Sequence, residues 1–249
     1  MIGSVEHYSP SDRKRRPNRY GVRIIRVVLF AFVLYLVVSR FFVATFRVES
    51  VSMKPGLNPS DRVIVSCLAF GPRIPFSASR FPGFGSPERG DLVVVQPPFF
   101  EEMPVFGRIF EPIASFFTLQ KSTLRRDLYG RRVNGYMVKR VIGVPGDTVR
   151  MKRYLLSIRA RGSTEFVAED HLVPVRYQIF TGNTSSLPPS ALPFSGNAEE
   201  ISLGQGEYFV LGDNRKESSD SRSWGPVPVT RIVGKVIFRY WPPRSLGKP

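Results

Sequence analysis

Tyr136-Met137-Val138-Lys139-Arg140-Val141-Ile142-Gly143-Val144-Pro145-Gly146-Asp147-Thr148-Val149 is the stretch on which the fold turns. Tyr136 to Val144 is rich in Val and Ile, Pro145-Gly146 is turn chemistry, and Asp147 leads into a second β-branched run. Such runs bounded by turn formers read as successive strands. The same grammar recurs in Pro59-Ser60-Asp61-Arg62-Val63-Ile64-Val65 and in Arg89-Gly90-Asp91-Leu92-Val93-Val94-Val95. Glu207 to Leu211 and Ile232 to Trp241 read as further strands. The chain is therefore expected to be mainly β, with antiparallel sheets that curl toward a barrel. Its 22 Pro and 21 Gly among 249 residues leave little room for long helices.

Within the opening strand, alternation places Met137, Lys139 and Val141 on one face and Val138, Arg140 and Ile142 on the other. Apolar neighbours on both sides are what a lysine needs to act as a base near neutrality. Free lysine titrates near ~10.4, and burial disfavours the ammonium form. A lysine on a solvated edge strand fits this segment equally well. Histidine, the usual partner of a nucleophilic serine, occurs only as His7 in the polar N-terminal tail and as His171. The single cysteine, Cys67, excludes an intramolecular disulfide. Neither His171 nor Cys67 has a supporting cluster, and no metal or cofactor is implied.

The net charge of +16, from 36 Lys and Arg against 20 Asp and Glu, suits nucleic acid or an anionic membrane equally well. Position favours the membrane: Arg13, Lys14, Arg15, Arg16, Arg19, Arg23 and Arg26 immediately precede the longest apolar run, Val27 to Phe46. No zinc-finger spacing, RNA-binding aromatic motif or long basic helix supports nucleic acid. As a helix, that run spans about 30 Å, one bilayer crossing, with Arg40 near its outer end. A buried core helix and a cleaved signal peptide are the alternatives. Ser39-Arg40-Phe41-Phe42 offers no small-x-small cleavage site, so an uncleaved anchor is preferred. The expected organisation is a basic cytoplasmic tail (1–26), a transmembrane anchor (27–46) and an extracytoplasmic domain (47–249). Within that domain, 97–135 reads as an insertion and 152–206 as a smaller, looser β lobe. Phe106 to Leu119 is apolar enough for a short helix, packed on the domain or on the membrane surface.

Three separated stretches carry the chemistry: Glu49-Ser50-Val51-Ser52-Met53-Lys54-Pro55-Gly56-Leu57, the Lys139 strand, and Gly212-Asp213-Asn214-Arg215-Lys216-Glu217-Ser218-Ser219-Asp220-Ser221-Arg222. With the anchor, Glu88 to Pro97 and Gly206 to Gly225, and in the same order, they resemble the type I signal peptidases, or leader peptidases. Those are bacterial Ser/Lys membrane proteases that remove signal peptides from exported proteins. Lys-Arg-Val-Ile-Gly-x-Pro-Gly-Asp, and Gly-Asp-Asn-Arg followed by Ser-x-Asp-Ser-Arg, are the specific parts of the match; Ser-x-Ser-Met-x-Pro alone is weak.

The resemblance implies roles residue by residue. Ser52 matches the nucleophile and Lys139 the general base. Ser50 matches the serine whose hydroxyl joins the Ser52 amide in an oxyanion hole, where each donor is typically worth ~3 to 4 kcal/mol. Ser218 matches the serine that orients the lysine amine. Asp220 and Arg222 match a supporting ion pair, with Asp213 beside them. Phe46, Val48, Met53, Leu57, Met137 and Val138 match shallow apolar S1 and S3 pockets suited to small residues such as Ala. The chain departs from the family at Glu49, where Pro is frequent, at Gly56, where Thr is frequent, and at Lys216-Glu217, where Asp-Asn is. Glu49 puts a carboxylate near the cleft. The implied partners are signal-peptide-bearing preproteins and the bacterial inner membrane, and a single-pass monomer is expected. A Ser/Lys protease acting on another precursor, and an anchored β domain that binds exported polypeptides without cleaving them, are the rivals.

Overall fold

A computed structural model describes residues 19–72, 80–99, 135–174, 176–181 and 196–249. The expected helix at Phe106 to Leu119, most of the 97–135 stretch, and much of the basic tail lie outside them. Two antiparallel sheets make up the domain. The larger joins β1 (Val43–Arg47), β2 (Arg62–Ser66), β3 (Leu92–Val95), β4 (Met137–Gly143), β9 (Glu207–Leu211), β10 (Val227–Pro228) and β11 (Ile232–Trp241) in the order β1-β2-β11-β3-β4-β9-β10. The smaller joins β5 (Thr148–Lys152), β6 (Leu155–Arg159), β7 (Val167–Ala168) and β8 (Ala198–Ser202) in the order β7-β6-β5-β8.

The recurrent Asp of the sequence has one physical job at each strand start. Asp61, Asp91 and Asp147 each accept the backbone N–H three residues earlier, from Asn58, Glu88 and Val144, at 3.0, 3.1 and 2.9 Å. Such side-chain caps close the turn before the strand begins. Each carboxylate also takes a distant cation, Arg239 at 3.1 Å, Lys235 at 2.6 Å and Arg89 at 2.6 Å respectively. A local turn signal thus doubles as a tie between strands. Gly146, with φ of +90°, supplies the left-handed residue of the corner before β5.

The larger sheet is covered on both faces, which is why its strands read as continuous apolar runs. Val63, Val65, Leu92, Val94 and Val138 pack with Met53 and Leu57 on one side. Val93, Val95, Val141, Val210 and Ile232 pack with Phe70 and Val227 on the other. A third cluster, with Ile142, Val149, Met151, Ile158, Phe209 and Leu211, joins the two sheets. Each such side chain, fully buried, contributes roughly 1.5–3 kcal/mol.

The apolar run before the domain is divided. Helix α1 spans Arg19–Val37, a π turn covers Val38–Phe42, and Val43–Arg47 is already β1, paired with β2 from Val43↔Ser66 to Arg47↔Arg62. The single helix expected over 27–46 therefore starts earlier and stops earlier. Among the described residues, no helix is long and apolar enough to cross a membrane. The physical reason for the early stop is the partner: β2 offers an open edge to Val43 and Thr45, whose branched side chains suit a strand.

Candidate active site

Ser52 lies in the turn region after β1, Lys139 in the middle of β4, and Ser218 in the loop after β9. The fold brings them together. Lys139 Nζ donates to Ser52 Oγ at 2.8 Å across 87 positions and reaches Ser218 Oγ at 3.2 Å. Ser50 Oγ stands 3.0 Å from Ser52 Oγ. Lys139 is 1% exposed and Ser52 4%. Its cross-strand partner Val93 and its same-face neighbour Val141 are both fully buried, so β4 is an inner strand and not a solvated edge. Burial drives the Lys139 pKa down from 10.5 to about 8; Asp220 and Asp213 oppose that shift and Arg222 assists it. The outcome is a lysine that is partly neutral near pH 8 and within hydrogen-bond reach of a serine hydroxyl.

Ion pairs frame the dyad on two sides. Asp220 is fully buried and takes two bonds from Arg222, Nε to Oδ1 at 2.8 Å and Nη2 to Oδ2 at 2.9 Å, and it also accepts the Gly212 amide at 3.1 Å. Burial alone would raise the Asp220 carboxyl; Arg222, Ser218 and Lys139 instead hold it below its ordinary value. Arg222 also donates to the carbonyls of Arg215 and Ser218, which sets the loop that presents the Ser218 hydroxyl. Asp213 takes a bidentate pair from Arg140 at 2.9 and 2.8 Å. Gly212 must be glycine: a Cβ there would strike Ser218 Oγ and the Ser52 carbonyl. The Asn214 amide donates to that same carbonyl at 2.9 Å, and Asn214 Nδ2 to the Val51 carbonyl at 3.3 Å. The 212–218 loop therefore clamps the serine turn from below.

A cleft of about 190 Å³ opens beside Ser52, lined by Phe46, Val48, Met53, Met137 and Val138 among the expected pocket residues. Arg47, Glu49, Ser50, Val94 and Tyr136 also line it. Leu57 does not: it is fully buried in the core with Met53, because the turn closed by the Leu57 amide on the Met53 carbonyl folds it inward. Glu49 and Ser50 are exposed at the rim. His171 sits on α2 (Glu169–Leu172), exposed, on an element that carries none of the serines. Cys67 is buried just after β2. Arg140, Val94 and Tyr136 could have been expected, since each flanks a residue already singled out or shares its strand register.

The chemistry of this arrangement is nucleophilic. A buried amine with a lowered pKa can take the Ser52 proton as the hydroxyl attacks a carbonyl. The Ser50 hydroxyl, 3.0 Å from Ser52 Oγ, is a further hydrogen-bonding group beside it.

The chain is similar to known proteins. A family profile described as "Signal peptidase, peptidase S26" matches residues 21–241. The chain is 28% identical over 215 residues to signal peptidase IB of Staphylococcus aureus, covering 86% of each protein. It is also 28% identical over 201 residues to the chloroplastic thylakoidal processing peptidase 1 of Arabidopsis thaliana, covering 80% of this chain and 42% of that protein. Among solved structures, a signal peptidase I from Enterococcus faecalis is 25% identical, with a TM-score of 0.31, covering 61% of this chain and 97% of the other.

Proposed function

The chain belongs to the signal peptidase family, peptidase S26, and on that premise we propose that it is a type I signal peptidase, a serine endopeptidase that removes N-terminal signal peptides from exported preproteins. The observation that carries this reading is the Lys139 amine, buried and 2.8 Å from Ser52 Oγ. A preprotein strand lies along the cleft beside β1 with small residues at P1 and P3. Ser52 Oγ attacks the carbonyl carbon of the P1 residue while neutral Lys139 takes its proton. Ser50 Oγ and the Ser52 amide hold the oxyanion, and Ser218 keeps the amine aimed. Collapse of the tetrahedral species breaks the C–N bond, and Lys139 returns the proton to the leaving amine. Water then attacks the Ser52 ester, Lys139 again acting as base, and the signal peptide leaves as a carboxylate.

The apolar run that begins at Val27 holds this enzyme at the bacterial inner membrane as a single-pass monomer, with residues 1–26 inside and the catalytic domain outside. Support comes from the exposed Val27, Val28, Leu29, Phe30 and Val33 along that run and from the basic residues that precede them. Sharing a bilayer with a tethered substrate raises the effective concentration of both. The deciding experiment is cleavage of a purified preprotein in detergent by Ser52→Ala and Lys139→Met variants. Loss of cleavage in both is expected; persistence in either removes that residue from the mechanism, and persistence in both returns the chain to a binding role.

A further inference from the structure

Residues 169–174 and 176–180, which follow β7, make no hydrogen bond to Ser52 or Lys139 among the bonds just described. They nevertheless hold the loop that positions that pair. Arg215, fully buried, pairs with Glu169 Oε1 at 2.5 Å and donates from Nε to the Gly212 carbonyl at 3.0 Å. Tyr177 donates its hydroxyl to the same Glu169 oxygen. The Tyr177 ring covers the Arg140 guanidinium at 4.1 Å, on the residue next to Lys139 and paired with Asp213. Backbone bonds close the ring of contacts: Phe180 N to the Asp213 carbonyl and Arg215 N to the Phe180 carbonyl, each at 2.9 Å.

Glu169 is 3% exposed, so its charge is buried with that of Arg215. A buried carboxylate shared by a guanidinium and a phenol is costly unless all bonds are made, and removing one partner leaves an uncompensated charge. Burial and the Glu169 charge together push the Tyr177 phenol above its ordinary range, so it stays a donor at all working pH values. The path from Glu169 to the dyad is short: Arg215 to Gly212, whose lack of a Cβ makes room for Ser218 and the Ser52 carbonyl, and Tyr177 to Arg140 beside Lys139.

We infer that Glu169, with Tyr177, is a positioning residue for the peptidase reaction, holding the 212–218 loop so that Ser218 and the Ser52 backbone keep their places around Lys139. This rests on the peptidase reading above. The test compares full-length wild type, Glu169→Gln and Tyr177→Phe in detergent, at a temperature well below the melting point of each, on one preprotein. Glu169→Gln keeps the size and one acceptor oxygen and removes the charge; Tyr177→Phe keeps the ring over Arg140 and removes the hydroxyl. The expected result is a kcat at least tenfold lower for Glu169→Gln and at least threefold lower for Tyr177→Phe, with KM within twofold of wild type. A lower melting temperature with kcat unchanged makes Glu169 a staple of the fold alone and overturns the inference. A raised KM at constant kcat overturns it as well. Where Glu169→Gln does not fold, Tyr177→Phe decides by the same criteria. Failure of the wild type itself to cleave strikes the peptidase reading instead.

Discussion

Replacing Lys139 with Met tests the buried base through stability as well as activity. In the folded chain its amine titrates near pH 8; released into water it returns to 10.5. Below pH 8 both states hold the proton, and the folded state bears the full cost of burying it, about 3 kcal/mol at about 1.4 kcal/mol per tenfold. Above pH 10.5 neither state holds it and the cost is gone. Between those values the unfolded chain binds more protons, so stability rises with pH. From pH 7 to 9.5 the wild type should gain about 2 kcal/mol that Lys139→Met does not, Met having no proton to lose. Lost bonds to Ser52 and Ser218, and altered packing, shift the Met variant by an amount that does not change with pH, so they cancel in the comparison. Urea unfolding of both chains in one nonionic detergent, at pH 7, 8 and 9.5, supplies the measurement, with Ser52→Ala as a control that should track the wild type. Parallel stability curves for wild type and Lys139→Met would refute the claim that burial depresses this amine.

The same titration should govern the rate: kcat/KM is expected to rise with pH along a limb centred near 8, the value for Lys139, and a limb near 10.5 in a pH-rate profile contradicts it. Gly212→Ala puts a methyl group against Ser218 Oγ and the Ser52 carbonyl, so overpacking should cost about 1–3 kcal/mol and reduce cleavage at least tenfold; unfolding curves and initial rates check both. Leu57→Ala should lower stability by about 2–5 kcal/mol because Leu57 lies in the core, while the preference for small P1 residues stays as it was. A changed P1 profile in a preprotein panel would return Leu57 to the pocket.

Much of the fold was legible because its signals are local. Asp61, Asp91 and Asp147 close turns on amides three residues away, and the strands they open are β-branched; both facts sit within a few consecutive positions. Ser52, Lys139, Ser50 and Ser218 were legible as candidates through short motifs that resemble those of the type I signal peptidases. Tertiary structure alone decided the rest. The apolar run from Val27 gives no sign that Val43 would leave the helix, since the β2 edge that captures it lies beyond the serine turn. Leu57 is as apolar as a pocket residue, and only the turn onto Met53 sends it inward. Lys139 could have stood on a solvated edge until β3 and β9 covered both sides of β4. Glu169 and Tyr177 belong to a segment with no motif, and their meaning comes from Arg215 and Arg140, more than 30 positions away. Turns and strand propensity are paid for by neighbours in the chain; burial, register and charge pairing depend on which strands meet, and that is settled only when the whole sheet closes.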